Sequence, residues 1–197
     1  MAYLYVNEFE ASANWGEVAT GETISEGELI VSVGDGTFRS ADAASTEVPD
    51  GIVIHDAGGD SIAEHDEDYF ANYEDLWTYE EGDKIYWVPL SDVDSIMPRS
   101  VSDTTDTNGN TPPEPTFGVE NVVGYINGPS GETRLVPEGY TYDANDDGTA
   151  ETFSESGDGD FVSLGRVDKF PQELRIQSHY DQRIPTRLTP QHFTSTA

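Results

Sequence analysis

Apolar residues fall along this chain in short runs separated by turn-forming residues, the pattern of short strands rather than long helices. Glu28-Leu29-Ile30-Val31-Ser32-Val33 is followed by Asp35-Gly36 and then by Thr37-Phe38-Arg39. An Asp-Gly pair between two β-prone runs predicts a hairpin, because both residues tolerate the positive φ of a tight turn. Gly51-Ile52-Val53-Ile54-His55 predicts a further strand. Lys84-Ile85-Tyr86-Trp87-Val88-Pro89-Leu90 predicts the strongest one, introduced by the turn Glu81-Gly82-Asp83. Tyr3-Leu4-Tyr5-Val6 is a short strand-like run, and residues 16–23 carry polar turn chemistry. Strands resume over residues 119–125, turn at Asn127-Gly128-Pro129-Ser130-Gly131, and return through Thr133-Arg134-Leu135-Val136. Residues 140–160 alternate acidic turns with short apolar pieces, ahead of Phe161-Val162-Ser163-Leu164. The one helical candidate is 61–79, where Tyr69, Phe70, Tyr73, Leu76 and Trp77 lie near helical spacing. An aromatic-rich acidic loop fits the same residues. The fold class expected is all-β, a small β-barrel or sandwich with long acidic loops and an extended C-terminal arm.

Composition decides what solvent such a fold must tolerate. The chain has 197 residues, with 39 Asp plus Glu against 9 Lys plus Arg and a net charge of -30. Like charge of that size pushes a compact state apart at ordinary ionic strength, whereas the Debye length falls to ~3 Å at 1 M salt. The sequence therefore reads as a protein built to fold in near-saturating salt, from a salt-accumulating halophile or a virus of one. High charge with low hydrophobicity also describes disordered chains, but 8 Phe, 10 Tyr and 3 Trp supply a core. Cysteine is absent, which excludes disulfides and thiolate metal sites. No apolar run approaches the roughly 20 residues of a spanning helix. With no basic leader and no Asn-x-Ser/Thr acceptor, the expectation is synthesis in the cytoplasm without Sec-type export.

Charge also divides the chain. Residues 166–197 hold five of the nine cations, Arg166, Lys169, Arg175, Arg183 and Arg187, against Asp168, Glu173 and Asp181. That segment carries +2, so the first 165 residues carry -32. Pro171, Pro185 and Pro190 discourage a long helix there. Two parts are expected: a β-rich domain over 1–165, with an inserted polar loop at 100–115, and an extended, relatively basic arm over 166–197. Such an arm docks on an acidic partner surface or folds back on its own domain. Tyr69, Phe70, Tyr73, Trp77, Arg175, Arg183 and Arg187 are the partner-binding candidates.

Catalytic signatures are missing: there is no Gly-x-Ser-x-Gly elbow, phosphate loop, dinucleotide glycine motif or His-Glu-x-x-His. His55, His65, His179 and His192 are scattered, and among 39 carboxylates an acid beside a histidine is expected by chance. No enzyme activity is expected. One segment has cation-loop spacing. Asp143, Asn145, Asp147 and Glu151 occupy relative positions 1, 3, 5 and 9, with Gly148 at 6, as in a Ca²⁺ loop. Position 12 is Ser154 rather than a bidentate Glu, although Glu155 follows it, and no helices flank the loop. The alternative is an acidic turn that binds water and monovalent ions. No cofactor is required by the sequence, with Ca²⁺ or another cation as the candidate ligand. Nucleic acid and anionic membranes are poor partners for a body that repels phosphate.

The order of the pieces resembles the capsid cement, or head decoration, proteins of tailed viruses, here of a halophilic archaeal virus. The similar pieces are residues 20–31 (Thr-Gly-Glu-Thr-Ile-Ser-Glu-Gly-Glu-Leu-Ile-Val), Gly51-Ile52-Val53, Glu81-Gly82-Asp83-Lys84-Ile85-Tyr86-Trp87, and Val122-Val123-Gly124-Tyr125. Each is a turn leading into an apolar strand, and Gly-Asp-Lys-Ile-Tyr-Trp is the distinctive one. The resemblance implies a non-catalytic cement or turret subunit on the outer face of the virion. Its implied partners are the major capsid protein and further copies of itself as a homo-oligomer. The loop at 100–115, the region after Tyr140 and the arginine-bearing tail depart from that pattern. The competing expectation is a halophile cell-surface or adhesion β module that binds Ca²⁺ through the Asp143 loop.

Overall fold

The computed structural model describes residues 14–54, 78–96, 98–101, 112–129, 131–145, 147–168, 172–176 and 179–189. Among them the fold is all-β, with no α-helix and one 3-10 turn at Leu90–Asp92. The expected strand at Tyr3 to Val6, residues 61–77 of the candidate helix and most of the 100–115 loop lie outside the described residues, while the candidate's last two residues, Thr78 and Tyr79, belong to the strand Thr78–Glu80.

The first half forms β1 (Asn14–Val18), β2 (Thr23–Ser25), β3 (Leu29–Gly34), β4 (Thr37–Ser40), β5 (Gly51–Ile54), β6 (Thr78–Glu80) and β7 (Lys84–Pro89). Five of these close a barrel in the order β1-β4-β3-β5-β7, and β2 pairs with β6 beside it. The β1–β4 contact is parallel and every other pairing around the barrel is antiparallel. Asp35 and Gly36 turn β3 into β4 with φ of 52° and 80°, the left-handed pair that a two-residue hairpin turn demands.

The second half supplies β8 (Ser95–Ile96), β9 (Val122–Asn127), β10 (Thr133–Pro137), β11 (Tyr140–Tyr142), β12 (Glu151–Phe153), β13 (Val162–Val167), β14 (Gln172–Ile176), β15 (His179–Arg183) and β16 (Thr186–Leu188). A five-stranded sheet runs β10-β9-β13-β16-β8, while β11–β12 and β14–β15 are separate two-stranded ribbons.

Three apolar layers explain the sequence pattern. Val18, Ile24, Ile30, Phe38, Val53, Tyr79 and Ile85 fill the barrel interior. Leu29, Val31, Ile52, Ile54 and Val88 face the other way and share a core with Val123, Tyr125, Leu135, Leu164, Val167, Ile184 and Leu188 of the sheet. Successive strand residues point to opposite faces, so Leu29-Ile30-Val31 and Ile52-Val53-Ile54 are unbroken apolar runs because the barrel wall is buried on both sides. On the far side of the sheet, Ile126 and Val136 pack with Tyr140, Tyr142, Phe153 and Phe161.

Two sequence expectations meet a different structure. Residues 16–23, read as a turn, begin inside β1, where Gly16 leaves room for a ring: a Cβ there would lie 2.4 Å from Phe38. A glycine used for close packing looks like a turn signal in sequence. The domain boundary expected after Gly165 falls within β13, and β16 returns to pair with that strand through Gly165↔Leu188 and Val167↔Thr186. Ile184 and Thr186 are fully buried, so this part of the tail belongs to the sheet.

Candidate functional site

The Asp143 loop joins β11 to β12, whose register is Tyr140↔Phe153, Thr141↔Thr152 and Tyr142↔Glu151. The rings of Tyr140 and Tyr142 stack on Phe153 at 6.3 and 6.2 Å between centroids. The Tyr140 hydroxyl donates to the Pro113 carbonyl at 2.6 Å, and burial pushes its pKa up to about 12, with neighbouring Tyr142 adding to the shift.

The four proposed cation ligands lie on this loop and the start of β12, and each is turned onto the loop's own backbone. The Asp143 carboxylate accepts from the amides of Asp147 at 3.1 Å and Gly148 at 2.8 Å. Asn145 Oδ1 accepts from Asp147 at 3.0 Å, Asp147 Oδ1 from Thr149 at 2.8 Å, and Glu151 Oε2 from Ala144 at 2.9 Å. Gly148, with φ +86°, permits the tight reversal. Among the described residues no group of three or more His, Asp or Glu side chains is placed to hold a metal ion.

Beside the loop lies an open cleft of about 400 Å³. Tyr142 and Phe153 line it from within, Asn145, Glu151, Asp158 and Asp160 from the acidic side, and Asn127, Gly128 and Pro129 from the β9–β10 turn. No cation is among its lining residues. The carboxylates beside this cleft suit a cationic group that donates hydrogen bonds to them.

Sequence reasoning missed two polar links, one buried and one half-buried, that tie these parts together. Glu28, 1% exposed, accepts from the Ser25 amide at 3.0 Å and the Ser40 hydroxyl at 2.6 Å. Arg134 of β10 approaches its Oε1 at 3.6 Å, and Thr133 Oγ1 accepts from the Leu29 amide at 2.7 Å, so the sheet is tied to the barrel. The second link fastens the β4–β5 loop to β9. Asn127 donates to Asp42 at 2.7 Å and accepts from the Ala43 amide at 2.9 Å, while the Tyr125 hydroxyl donates to the Glu47 carbonyl at 2.6 Å. Hydrogen bonds from Ser45 and Asn127 hold the Asp42 carboxyl below its usual range, and the paired guanidinium of Arg39 does the same for Glu47. Burial raises the Tyr125 hydroxyl far above its ordinary value. The Asn127-Gly128 pair carries a turn signal, yet the Asn side chain works as this tie.

Of the partner-binding candidates, Tyr69, Phe70, Tyr73 and Trp77 lie outside the described residues. Arg175 stands opposite Tyr180, and Arg183 opposite Gln172, on the β14–β15 ribbon. Arg187 is engaged within the chain, donating to both oxygens of Glu120 at 3.0 and 2.9 Å and approaching Asp168 at 3.5 Å. His55, His65 and His192 lie outside the described residues, and His179 opens β15. An aromatic that the sequence did not single out is Trp15, 60% exposed, whose ring lies 4.0 Å from that of Tyr86 with Lys84 Nζ 5.7 Å away.

Compared with known protein families, curated proteins and solved structures, the chain matches none. Its resemblance to capsid cement proteins therefore rests on the four turn-and-strand pieces themselves.

Proposed function

We propose that this chain is a structural virion protein, a decoration or cement subunit on the outer face of a tailed-virus capsid that works in high salt. What carries the reading is where the resembling pieces fall. Residues 20–31 make β2 and the first half of β3, Gly51-Ile52-Val53 makes β5, residues 81–87 make the turn into β7, and Val122-Val123-Gly124-Tyr125 opens β9. These pieces supply the barrel wall and the strand packed against it, so the similarity coincides with the strands that line two adjoining core clusters and not with scattered loops.

The remaining features fit a subunit that holds by contact. Side chains fill the barrel interior, which favours a structural post over a carrier. In molar salt long-range attraction is screened, so attachment to the major capsid protein falls to apolar contact and short-range pairing. The exposed Trp15 with Tyr86 and Lys84 offers such a surface. The test is co-sedimentation of the purified protein with capsids of its source virus in about 3 M KCl, where screening is essentially complete. Saturable binding at a fixed number of copies per capsid supports decoration. Absence from purified particles and no binding would end this reading.

A further inference from the structure

We propose that Asn127-Gly128 is a latent deamidation site: the tie that Asn127 makes to the β4–β5 loop holds its amide back from reaction, and conversion of that amide to a carboxylate breaks the tie irreversibly.

An Asn followed by Gly loses its side-chain amide readily, because glycine places no Cβ in the way of its own nitrogen. The chain has two such pairs, Asn127-Gly128 and Asn108-Gly109, the second outside the described residues. In the reaction the Gly128 nitrogen gives its proton to hydroxide and bonds to Asn127 Cγ. The Cγ–Nδ2 bond breaks, and the nitrogen leaves as ammonia with a proton taken from water. Water then opens the succinimide ring at either carbonyl, leaving aspartate or, where the main chain runs through the former side chain, isoaspartate. Water is the only co-reactant. Asn127 and Gly128 both line the open cleft of about 400 Å³, which brings water to them.

The folded chain withholds both reacting groups. The Gly128 N–H donates to the Glu132 carbonyl at 2.6 Å. Asn127 is held opposite Thr133 in the β9–β10 ladder, and its amide is engaged at both ends. Nδ2 donates to Asp42 at 2.7 Å, and Oδ1 accepts from the Ala43 amide at 2.9 Å. Bringing Cγ onto the Gly128 nitrogen turns the side chain off these bonds, so the reaction passes through a local opening and its rate follows how often the tie is broken. The product does not re-form it. A carboxylate at position 127 has no N–H to give Asp42 and sets a like charge against it. The Tyr125 hydroxyl still donates to the Glu47 carbonyl, so the loop is loosened at one of two fastenings.

Full-length protein is incubated in mildly alkaline buffer at high KCl and, in parallel, in the same buffer with denaturing urea. Proteolysis and mass spectrometry then follow the loss of amide at positions 127 and 108. In urea the two pairs should react at similar rates, which fixes the intrinsic rate. In the folded wild type position 127 should react more slowly than in urea by at least roughly tenfold, about what one hydrogen bond contributes. Asp42→Ala, shown to be folded by circular dichroism, should speed the folded-state reaction at 127 by about tenfold and leave the rate in urea unchanged. Should Asp42→Ala not fold, the wild-type ratio between the two buffers decides. At Gly128 φ is not positive, and an added Cβ meets only the Glu132 side chain, whose end can turn aside. Gly128→Ala should therefore fold and suppress the reaction in both buffers. Asn127→Asp, which installs the product, should melt below the wild type. Equal rates at 127 in the folded and denatured chain, no reaction there in urea, a folded Asp42→Ala variant no faster than the wild type, an undiminished reaction in Gly128→Ala, or an Asn127→Asp variant that melts with the wild type would each overturn the proposal. No capsid is present, so the outcome is independent of the decoration reading.

Discussion

The barrel wall and the β14–β15 ribbon are both made of short strands, but they are held by opposite means. Around the barrel every strand has neighbours on both sides, and β3, β5 and β7 bury apolar residues on both faces. The ribbon has one ladder of five residue pairs and holds two of the chain's nine cations, Arg175 and Arg183, beside Glu173 and Asp181. Stability resides in the first, so substitutions should separate the two regions.

The largest loss of stability is expected from Arg134→Met, which leaves the Glu28 carboxylate in the core without its cation and costs about 3–5 kcal/mol. Adding Glu28→Gln should recover part of that loss in a denaturant titration, which would identify uncompensated charge as the cause. Gly165→Ala comes next. A Cβ would lie 2.0 Å from the Arg187 carbonyl, so β13 and β16 must separate, at about 1–3 kcal/mol or more. Asn127→Ala removes one donor to Asp42 and leaves the Ala43 amide without its acceptor, and should cost about 1–3 kcal/mol, read as a lower melting temperature. Smaller still is the acid response. Asp42 and Glu47 titrate below their ordinary values of 3.8 and 4.5 in the folded chain. Their contribution is therefore fully present above those values and is lost as pH falls through the folded pKa. Melting temperature should decline below about pH 4.5, less steeply in Asn127→Ala, where one hydrogen bond lowering Asp42 is gone. Least affected is Arg175→Glu with Arg183→Glu, expected within about 0.5 kcal/mol of the wild type. A large loss there would erase the contrast between wall and ribbon.

Much of the barrel is legible in the sequence because its signals are local. Asp35-Gly36 fixes a hairpin through backbone φ alone, and the runs at Leu29 and Ile52 announce strands whatever packs on them. What is not legible depends on distant partners. Gly16 looks like a turn until Phe38 is placed beside it, and Asn127 looks like half of an Asn-Gly turn until Asp42 and Ala43 arrive from 85 and 84 residues away. The tail reads as one basic arm because charge is visible in sequence, whereas the return of β16 to the sheet rests on pairing with β13. For that reason truncation at Gly165 would remove Val167, Ile184 and Leu188 from the shared core and test folding rather than assembly. The cation-loop spacing suggests ligands for a cation, but it does not reveal that these side chains are turned onto backbone amides.

The central claim, attachment to a capsid, is tested most directly by titrating wild-type protein onto undecorated capsids of the source virus in about 3 M KCl and counting bound copies after sedimentation. The account predicts binding that saturates at an integral number of copies per capsomer and persists at this salt. Protein that stays in the supernatant at every ratio, and is absent from purified virions, would contradict it.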